Sequence, residues 1–584
     1  MEKRELIRKV KGMTDLSAEE KSYLIRLMNH KDRYGLVWED KPEDVEEQLR
    51  SMLPILIEDK KKAILSEEKE APNHILIEGD NLHALTALSF THKGKIDVIY
   101  IDPPYNTKNK DFIYNDRYVD KEDSYRHSKW LSFMEKRLRI AQELLAEKGV
   151  IFISIDDNEN AQLKLLCDEI FHPNNFIRDI IWQSRKSVSN DAFISLNHNY
   201  TLFYAKNLNL LNKEDFKLPV DINSFKNSDN DPRGLWKADP FDAPGIRPNL
   251  TYAIVNPNTG KEYWPPKGRC WRVTQKDYNY FLNDNRIVFG KRGKSKPQLK
   301  RFLDFAKNKG ATSISLWNDI DTTTNGTKEL LDIFGVKKFN NPKPIGLINR
   351  ILQLSTGNNN DAIVLDFFAG SGTTLHATME LNKEDGGKRQ CILVTNNENK
   401  IAEEVTYERN RRVIQGYTNT KGEEVEGLSK NNLRYYTADF VPSEQTEQNR
   451  RRLTKYSTEL ICIKEDCYTE ITVQYQSEFI QTPLVRIFTN NLGKHLILIY
   501  HSYFQYEVIE ELIGLIPQLD SKEKVKIYSF SPEKETIEEE FRGISDQIDA
   551  VALPDSIYNA YKQCFRTIEL HKNQPIVSPQ STEE

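Results

Sequence analysis

Cysteine is scarce: six in 584 residues, mostly far apart, too few and too scattered for a disulfide framework. The eleven histidines form no H-E-x-x-H or comparable pattern, so no metal is implied. No apolar run approaches the roughly 18 residues that a membrane-spanning helix needs. The opening residues, MEKRELIRKVKG, lack the apolar stretch of a secretory signal. An excess of either charge is missing too, since 82 basic against 87 acidic residues leave −5. That balance excludes a small histone-like coating protein, but not DNA as a ligand, because phosphate binding depends on local basic surface. Internal repeats with a period of roughly 20 to 50 residues are absent. Apolar residues at 38% and charged residues at 29% describe folded cores under a wet surface. The expectation is a soluble cytoplasmic protein of about three to five domains with no membrane partner.

Five regions follow from the texture of the chain. Residues 1–70 read as helical: Ser17 and Glu20 have capping-box spacing, and Pro42 opens a second helix through EDVEEQLRSMLPIL that Pro54 ends or kinks. Residues 71–183 alternate strand and helix, as in HILIEGD, NLHALTALSFTH, IDVIYID, a long amphipathic helix closed by Gly149, and VIFISID. Residues 184–340 lose that alternation and are rich in Asn, Asp, Pro, Gly and aromatics, which reads as a loop-rich inserted domain. The α/β texture resumes over 341–430. Residues 431–584 begin as a charged connector with Arg450, Arg451 and Arg452, continue as a small separate α/β domain and end in a disordered tail. Alternation of this kind predicts a mostly parallel sheet with helices on both faces.

Two motifs sit where such a sheet binds ligands, just beyond the carboxyl ends of strands. Asp102-Pro103-Pro104-Tyr105 follows IDVIYI. Its prolines stiffen the turn and remove two donors, leaving the Asp102 carboxylate and the Pro103 carbonyl as acceptors beside the Tyr105 ring. Two acceptors and a flat ring suit a flipped base carrying an exocyclic amino group. Asp366-Phe367-Phe368-Ala369-Gly370-Ser371-Gly372-Thr373-Thr374 follows AIVL and precedes a helix. Gly370 and Gly372 let the backbone approach a ligand, and the helix N-terminus favours a carboxylate. Neither common nucleotide loop fits. Leu375 stands where the dinucleotide fingerprint has its third glycine, and Val288 stands where GKRGKS would need the first glycine of a phosphate loop.

Together, these motifs resemble the amino-methyltransferases of DNA, and their order, with a long insert between, resembles the β class. LIEGDNLHAL (76–85), YIDPPYNT (100–107), ISIDDNE (153–159), DPRGLW (231–236), NPKP (341–344) and DFFAGSGTT (366–374) extend the resemblance to the Mod subunits of type III restriction-modification systems. It covers roughly residues 34 to 415. It implies a Rossmann-like sheet that uses S-adenosylmethionine and methylates adenine N6 in double-stranded DNA, with the insert recognising the target. It further implies a homodimer and a restriction (helicase–nuclease) partner. Asp102, Pro103, Pro104 and Tyr105 become the catalytic loop. Phe368, Gly370 and Gly372 line the cofactor site with Asp366 and Thr373 beside them, Asp80 lies near the adenine, and Lys343 and Pro344 close over the methionine part. The family's acidic ribose ligand has no direct match: CILVTNNEN offers Thr395 and Asn396 first and Glu398 later.

Weaker features have plainer readings. The run Lys291 to Arg301 carries six basic residues and no acid, which suits phosphate contacts in a recognition insert. Trp236, Tyr263, Trp264 and Trp271 read as core of that insert rather than base-stacking groups. Cys462 and Cys467 read as packing residues, and Arg409, Arg411 and Arg412 as a helix face. Three other functions stay open: cytosine-N4 methylation, for which Ser is more typical in the first motif position, a DNA-specificity subunit that does not methylate, and a nicotinamide-dependent oxidoreductase, which Leu375 disfavours.

Overall fold

The computed structural model describes residues 38–568 apart from 42, 108–112, 115–116, 119–124, 501–504 and 532–533. The Ser17–Glu20 capping box, Pro42 and the tail from 571 therefore lie outside the described residues. The chain divides into two compact units. The first holds 1–211, 315–349 and 359–584; the second holds 212–314 and 350–358.

The first unit is built on ten strands: β1 (Met52–Glu58), β2 (Asn73–Glu78), β3 (Ile96–Ile101), β4 (Leu145–Ile155), β5 (Phe176–Trp182), β6 (Asn199–Ala205), β7 (Leu316–Trp317), β8 (Ile363–Asp366), β9 (Gln390–Thr395) and β10 (Asn432–Pro442). They form one sheet in the order β1-β10-β2-β9-β8-β3-β4-β6-β5-β7. All run the same way except β1 and β6. Runs such as ILI, VIYI, VIFISI and CILVT are apolar without alternation because helices cover both faces of the sheet. Those helices are α1 (Asp44–Ser51), α2 (Asn81–Thr91), α3 (Arg126–Leu144), α4 (Asn160–Phe171), α5 (Thr323–Phe334), α6 (Ile345–Thr356), α7 (Thr373–Asp385) and α8 (Glu408–Gln415). This is the expected Rossmann-like methyltransferase fold.

Adjacent strands β3 and β8 lead the chain in opposite directions. Through α3 the chain passes from β3 to β4 on one side, and through α7 it passes from β8 to β9 on the other. Such a reversal leaves a crevice at the carboxyl ends of the two strands.

Several boundaries differ from the sequence reading. Residues 52–58 form edge strand β1 rather than the end of a helix. Pro54 is tolerated there because an edge strand can spare one donor. Helix α3 stops at Leu144, and Gly149 lies inside β4, where a side chain would press on the carbonyls of Ile96 and Ala146. The sheet also reaches past 430, because β10, whose YYTADF had read as connector, pairs with β1 and β2. The charged triplet Arg450 to Arg452 lies on a helix, α9 (Glu447–Tyr456).

Beyond α9 come α10 (Thr458–Glu465), β11 (Thr469–Glu470), β12 (Val485–Thr489), β13 (His495–Ile499), α11 (Gln505–Leu515), β14 (Val525–Phe530), α12 (Lys534–Glu540), β15 (Ile548–Leu553) and α13 (Asp555–Thr567). Strands β11 to β15 form a second sheet. It is not a separate domain: Leu460, Leu496, Tyr528, Ile557 and Tyr561 belong to the same buried cluster as Leu85, Leu88 and Leu138 of α2 and α3. Tyr561 donates its buried hydroxyl to the Pro54 carbonyl at 2.6 Å.

The second unit is smaller than the expected insert of 184–340, because β6, β7 and α5 belong to the first unit. Strand β6, NYTLFYA, is apolar enough to pair inside the large sheet. The second unit has its own core of Phe241, Ile254, Trp271, Tyr278, Ile287 and Phe289. Trp271 is buried there as expected, but Trp264 is 57% exposed and Trp236 and Tyr263 are only partly covered. Within the basic run, Lys300 is buried and paired with Asp229 and Asp231, so it braces this unit rather than facing solvent.

Candidate active site

The DPPY loop leaves the end of β3 and is fixed from behind. Trp130 of α3 donates its indole N–H to the Pro104 carbonyl at 2.7 Å. Asn106, in the left-handed region at φ 54°, donates to Glu159 Oε1 at 2.5 Å and to the Arg126 carbonyl at 3.3 Å. Glu159 is fully buried, also meets His127 Nδ1 at 2.6 Å, and burial pushes its carboxyl up to about 8. ISIDDNE therefore supplies the brace of the loop. Burial and the neighbouring Asp102 hold the Tyr105 hydroxyl protonated, well above the ordinary range.

The glycine loop leaves the end of β8. Gly370 and Gly372 both lie in the left-handed region, at φ 49° and 73°, so a side chain at either is strained. A Cβ on Gly370 would also crowd the Phe339 ring. The loop's carbonyls are gripped from the segment entering α8: Thr406 donates to the Gly370 carbonyl at 2.6 Å and Asn410 to that of Gly372 at 3.3 Å. Arg409 is not on an exposed helix face. It is fully buried and donates to Thr373 Oγ1 at 2.7 Å and to Ser371, whereas Arg411 and Arg412 pair with Glu408 at the surface.

Both loops open on one cavity of about 440 Å³. Asp102, Pro104, Phe368, Gly370 and Asp80 line it, as do Thr395, Asn396 and Glu398 from the end of β9. Asp80 also caps α2, accepting from the Leu82 N–H at 2.7 Å. Phe133, Phe339, Glu43 and Asn81 also line the cavity, none of them anticipated as site residues from sequence. Behind Asn81 and Glu43 the fully buried Arg137 donates to both, at 2.5 and 2.8 Å. The only sequence trace of this network is Asn81 directly after Asp80.

Other expected residues sit elsewhere. Asp366 is turned away from the cavity: its carboxylate accepts from the Phe368 N–H at 3.0 Å and from the Thr374 hydroxyl at 2.6 Å, closing the loop on itself. Gly372 and Thr373 lie behind the wall against Asn410 and Arg409. Lys343 points at the other loop, with Nζ 2.5 Å from Asp102 Oδ2 and 5.1 Å from the Tyr105 ring centroid. Pro344 forms the turn into α6. Pro103 is buried under the loop and Tyr105 stands beside the cavity, where its hydroxyl accepts from Asn199 at 3.4 Å. Among the described residues, Asp102 Oδ1 is buried and accepts no hydrogen bond. No group of His, Cys, Asp or Glu among them could hold a metal ion, and Cys462 and Cys467 are buried.

The cavity walls match one kind of ligand. Four phenylalanines, Phe133, Phe339, Phe367 and Phe368, offer apolar surface, and Asp80, Asn396 and Glu398 offer acceptors for hydroxyls. The volume lies in the range of small-molecule sites. Residues 96–414, more than half of the chain, match the family model described as DNA methylase.

The chain belongs to the DNA methylase family. Among the family's relatives, it is 38% identical over 368 residues to the type III restriction-modification enzyme StyLTI Mod subunit of Salmonella typhimurium, covering 58% of this chain and 55% of that one. It is 34% identical over 422 residues to the EcoPI Mod subunit of Escherichia phage P1, covering 63% of this chain and 64% of that one. The chain thus spans between 55% and 64% of the length of these two relatives. A solved structure, a DNA modification methylase of Thermus thermophilus in complex with S-adenosyl-L-methionine, is 15% identical at a TM-score of 0.30, covering 61% of this chain and 98% of that one. No described helix of this family member is long and apolar enough to cross a membrane.

Proposed function

We propose that this DNA methylase transfers a methyl group from S-adenosylmethionine to the N6 amino group of an adenine turned out of duplex DNA. We place it as the modification subunit of a type III restriction-modification system. The observation that carries the reading is the meeting of DPPY and the glycine loop at a single cavity. The Mod names of the relatives support the type III assignment. A restriction partner and a homodimer belong to the same reading.

When bound, the cofactor supplies a methyl group on a sulfonium, already strongly electrophilic. Phe133, Phe339 and Phe368 would hold its purine, and Asp80, Asn396 and Glu398 its ribose hydroxyls. Glu398 thus takes the role of the acid that the family places earlier. The remaining task is to position a weak nucleophile, because an adenine amino nitrogen shares its lone pair with the ring. Asp102 and the Pro103 carbonyl accept that group's two N–H bonds and draw it toward a tetrahedral, more basic state. As positive charge grows on the nitrogen, the Asp102 carboxylate stabilises it, an effect of a few kcal/mol, and the surplus proton of the methylated amine then leaves to water. Tyr105 stacks on the extruded base and offsets part of the few kcal/mol that flipping costs. Lys343 occupies Asp102 Oδ2 and the unbonded Oδ1 is buried, so the incoming amino group displaces the lysine or the carboxylate turns to present Oδ1. Aspartate in the first motif position favours adenine over cytosine.

Tritiated methyl transfer into mixed-sequence DNA tests the reading. Asp102→Ala is expected to lose activity by about a thousandfold or more while sinefungin still binds. Long-read sequencing of the methylated DNA identifies the base and the motif. Wild-type protein that binds cofactor and DNA yet transfers no methyl would overturn the reading in favour of a specificity subunit.

A further inference from the structure

Strands β5 and β6 are antiparallel neighbours, and the chain joining them, from Gln183 to His198, rises from the same end of the strands as the DPPY loop. Its root is tied to that loop. Ser184 donates to Asn199 Oδ1 at 3.0 Å, and Asn199 Nδ2 donates to the Tyr105 hydroxyl at 3.4 Å. Two further bonds shape the connection: the Arg185 N–H donates to the Asn197 carbonyl at 3.1 Å, and the Ser189 N–H donates to Ser195 Oγ at 2.8 Å. Past these bonds the tip is apolar and uncovered. Val188 is 75% exposed, Phe193 111% and Ile194 88%. Arg185 and Lys186 stand exposed at the root, and Asp191 is the connection's one acid.

Large side chains exposed side by side mark a surface that something else covers. We propose that Phe193 and Ile194 form a wedge that enters duplex DNA as the target base leaves it. The proposal rests on the methyltransferase reading and adds how the helix is opened. Apolar side chains pushed between base steps unstack and kink a duplex, and their own burial offsets the stacking that is lost. Arg185 and Lys186 at the root suit the phosphates on either side of the gap. The bond from Asn199 to Tyr105 puts the root of the wedge next to the ring on which the extruded base would stack. A second copy of the chain fits the tip less well. A stable protein interface buries about 800 Å² per partner, and a narrow tip of a few side chains offers no such face.

The test compares two synthetic duplexes carrying the motif read by long-read sequencing. In one the target adenine is paired; in the other it faces an abasic site, so extrusion is already eased. The variant is Phe193→Ser with Ile194→Ser. Both residues are exposed, and unchanged sinefungin binding checks that the fold is intact. The expected result is a fall in kcat/KM of about tenfold or more on the paired duplex and of less than about threefold on the abasic one. Equal losses on both duplexes, or none on the paired one, would overturn the wedge. Equal losses with a changed sedimentation coefficient would assign the tip to a protein contact instead. Wild-type protein that methylates neither duplex would sink the methyltransferase reading, and the wedge with it.

Discussion

Asp366 lies 2% exposed under the glycine loop, and burial pushes its carboxyl up to about 7. In the unfolded chain the same group ionises near a pKa of about 4. Between these values the folded state holds a proton that the unfolded state has lost, so this group's contribution to stability falls as pH rises through the window and is flat above it. Asp366→Asn keeps the shape and offers one acceptor and one donor to the same two partners. The variant's stability relative to wild type is therefore expected to rise between about pH 4 and 7, by about 1.4 kcal/mol per unit at most. Urea unfolding at a series of pH values measures this. Sinefungin binding should survive within about tenfold, since the carboxylate shapes the loop rather than facing the ligand. Glu159, raised to about 8 behind the DPPY loop, gives the same sign over a window reaching one unit higher.

At the scale of elements, Lys343 reaches Asp102 because the NPKP segment lies directly on α5. Gly326, buried on that helix, makes this possible: a Cβ there would run into the backbone of Pro342 to Pro344. Glu329 of the same helix accepts the Ile345 N–H at 3.0 Å and so fixes the start of α6. Gly326→Ala is expected to push the segment away and cut methyl transfer by about tenfold or more, though it touches neither cofactor nor DNA. Activity within about twofold of wild type would mean that the Lys343–Asp102 contact is incidental. Nothing in the sequence marks Gly326, whereas Asp102 and Gly370 stand out. Chemistry at a loop after a strand demands particular residue types, and the two loops meet because their strands are neighbours. The walls of the cavity are less legible. Phe133 looks like any apolar position of an amphipathic helix, Phe339 belongs to no motif, and Arg137 is one of several basic residues in a charged helix. Strands β1 and β10 were hidden for another reason. Pro54 argues against a strand until its edge position is known, and charges interrupt the apolar pattern of β10.

On the scale of the whole molecule, the C-terminal sheet and the methyltransferase sheet share one buried cluster in the first unit. Tyr561→Phe removes the donor to the buried Pro54 carbonyl and is expected to cost about 1–3 kcal/mol. The urea midpoint should fall with the slope unchanged, in a single transition. The second unit is a different case, because on the proposed DNA-methylating reading its exposed charge would face phosphates. Of the six basic residues in its run, Lys300 is spent on Asp229 and Asp231, Lys296 reaches Asp242, and Arg301 reaches Asp239. Lys291, Arg292 and Lys294 are exposed and pair with no carboxylate among the described residues. Within this run, these three are the exposed cations left for phosphates without breaking an ion pair. Each phosphate neutralised releases counterions, so replacing all three with serine should weaken DNA binding at low salt and make the log–log dependence on salt shallower by about 2 to 3. Titrations of mixed-sequence DNA at several salt concentrations measure that slope. Phosphate contacts carry no sequence information, so specific and nonspecific DNA should lose affinity alike. A slope unchanged from wild type would leave these residues as solvated surface and move the search for phosphate contacts to other parts of the molecule.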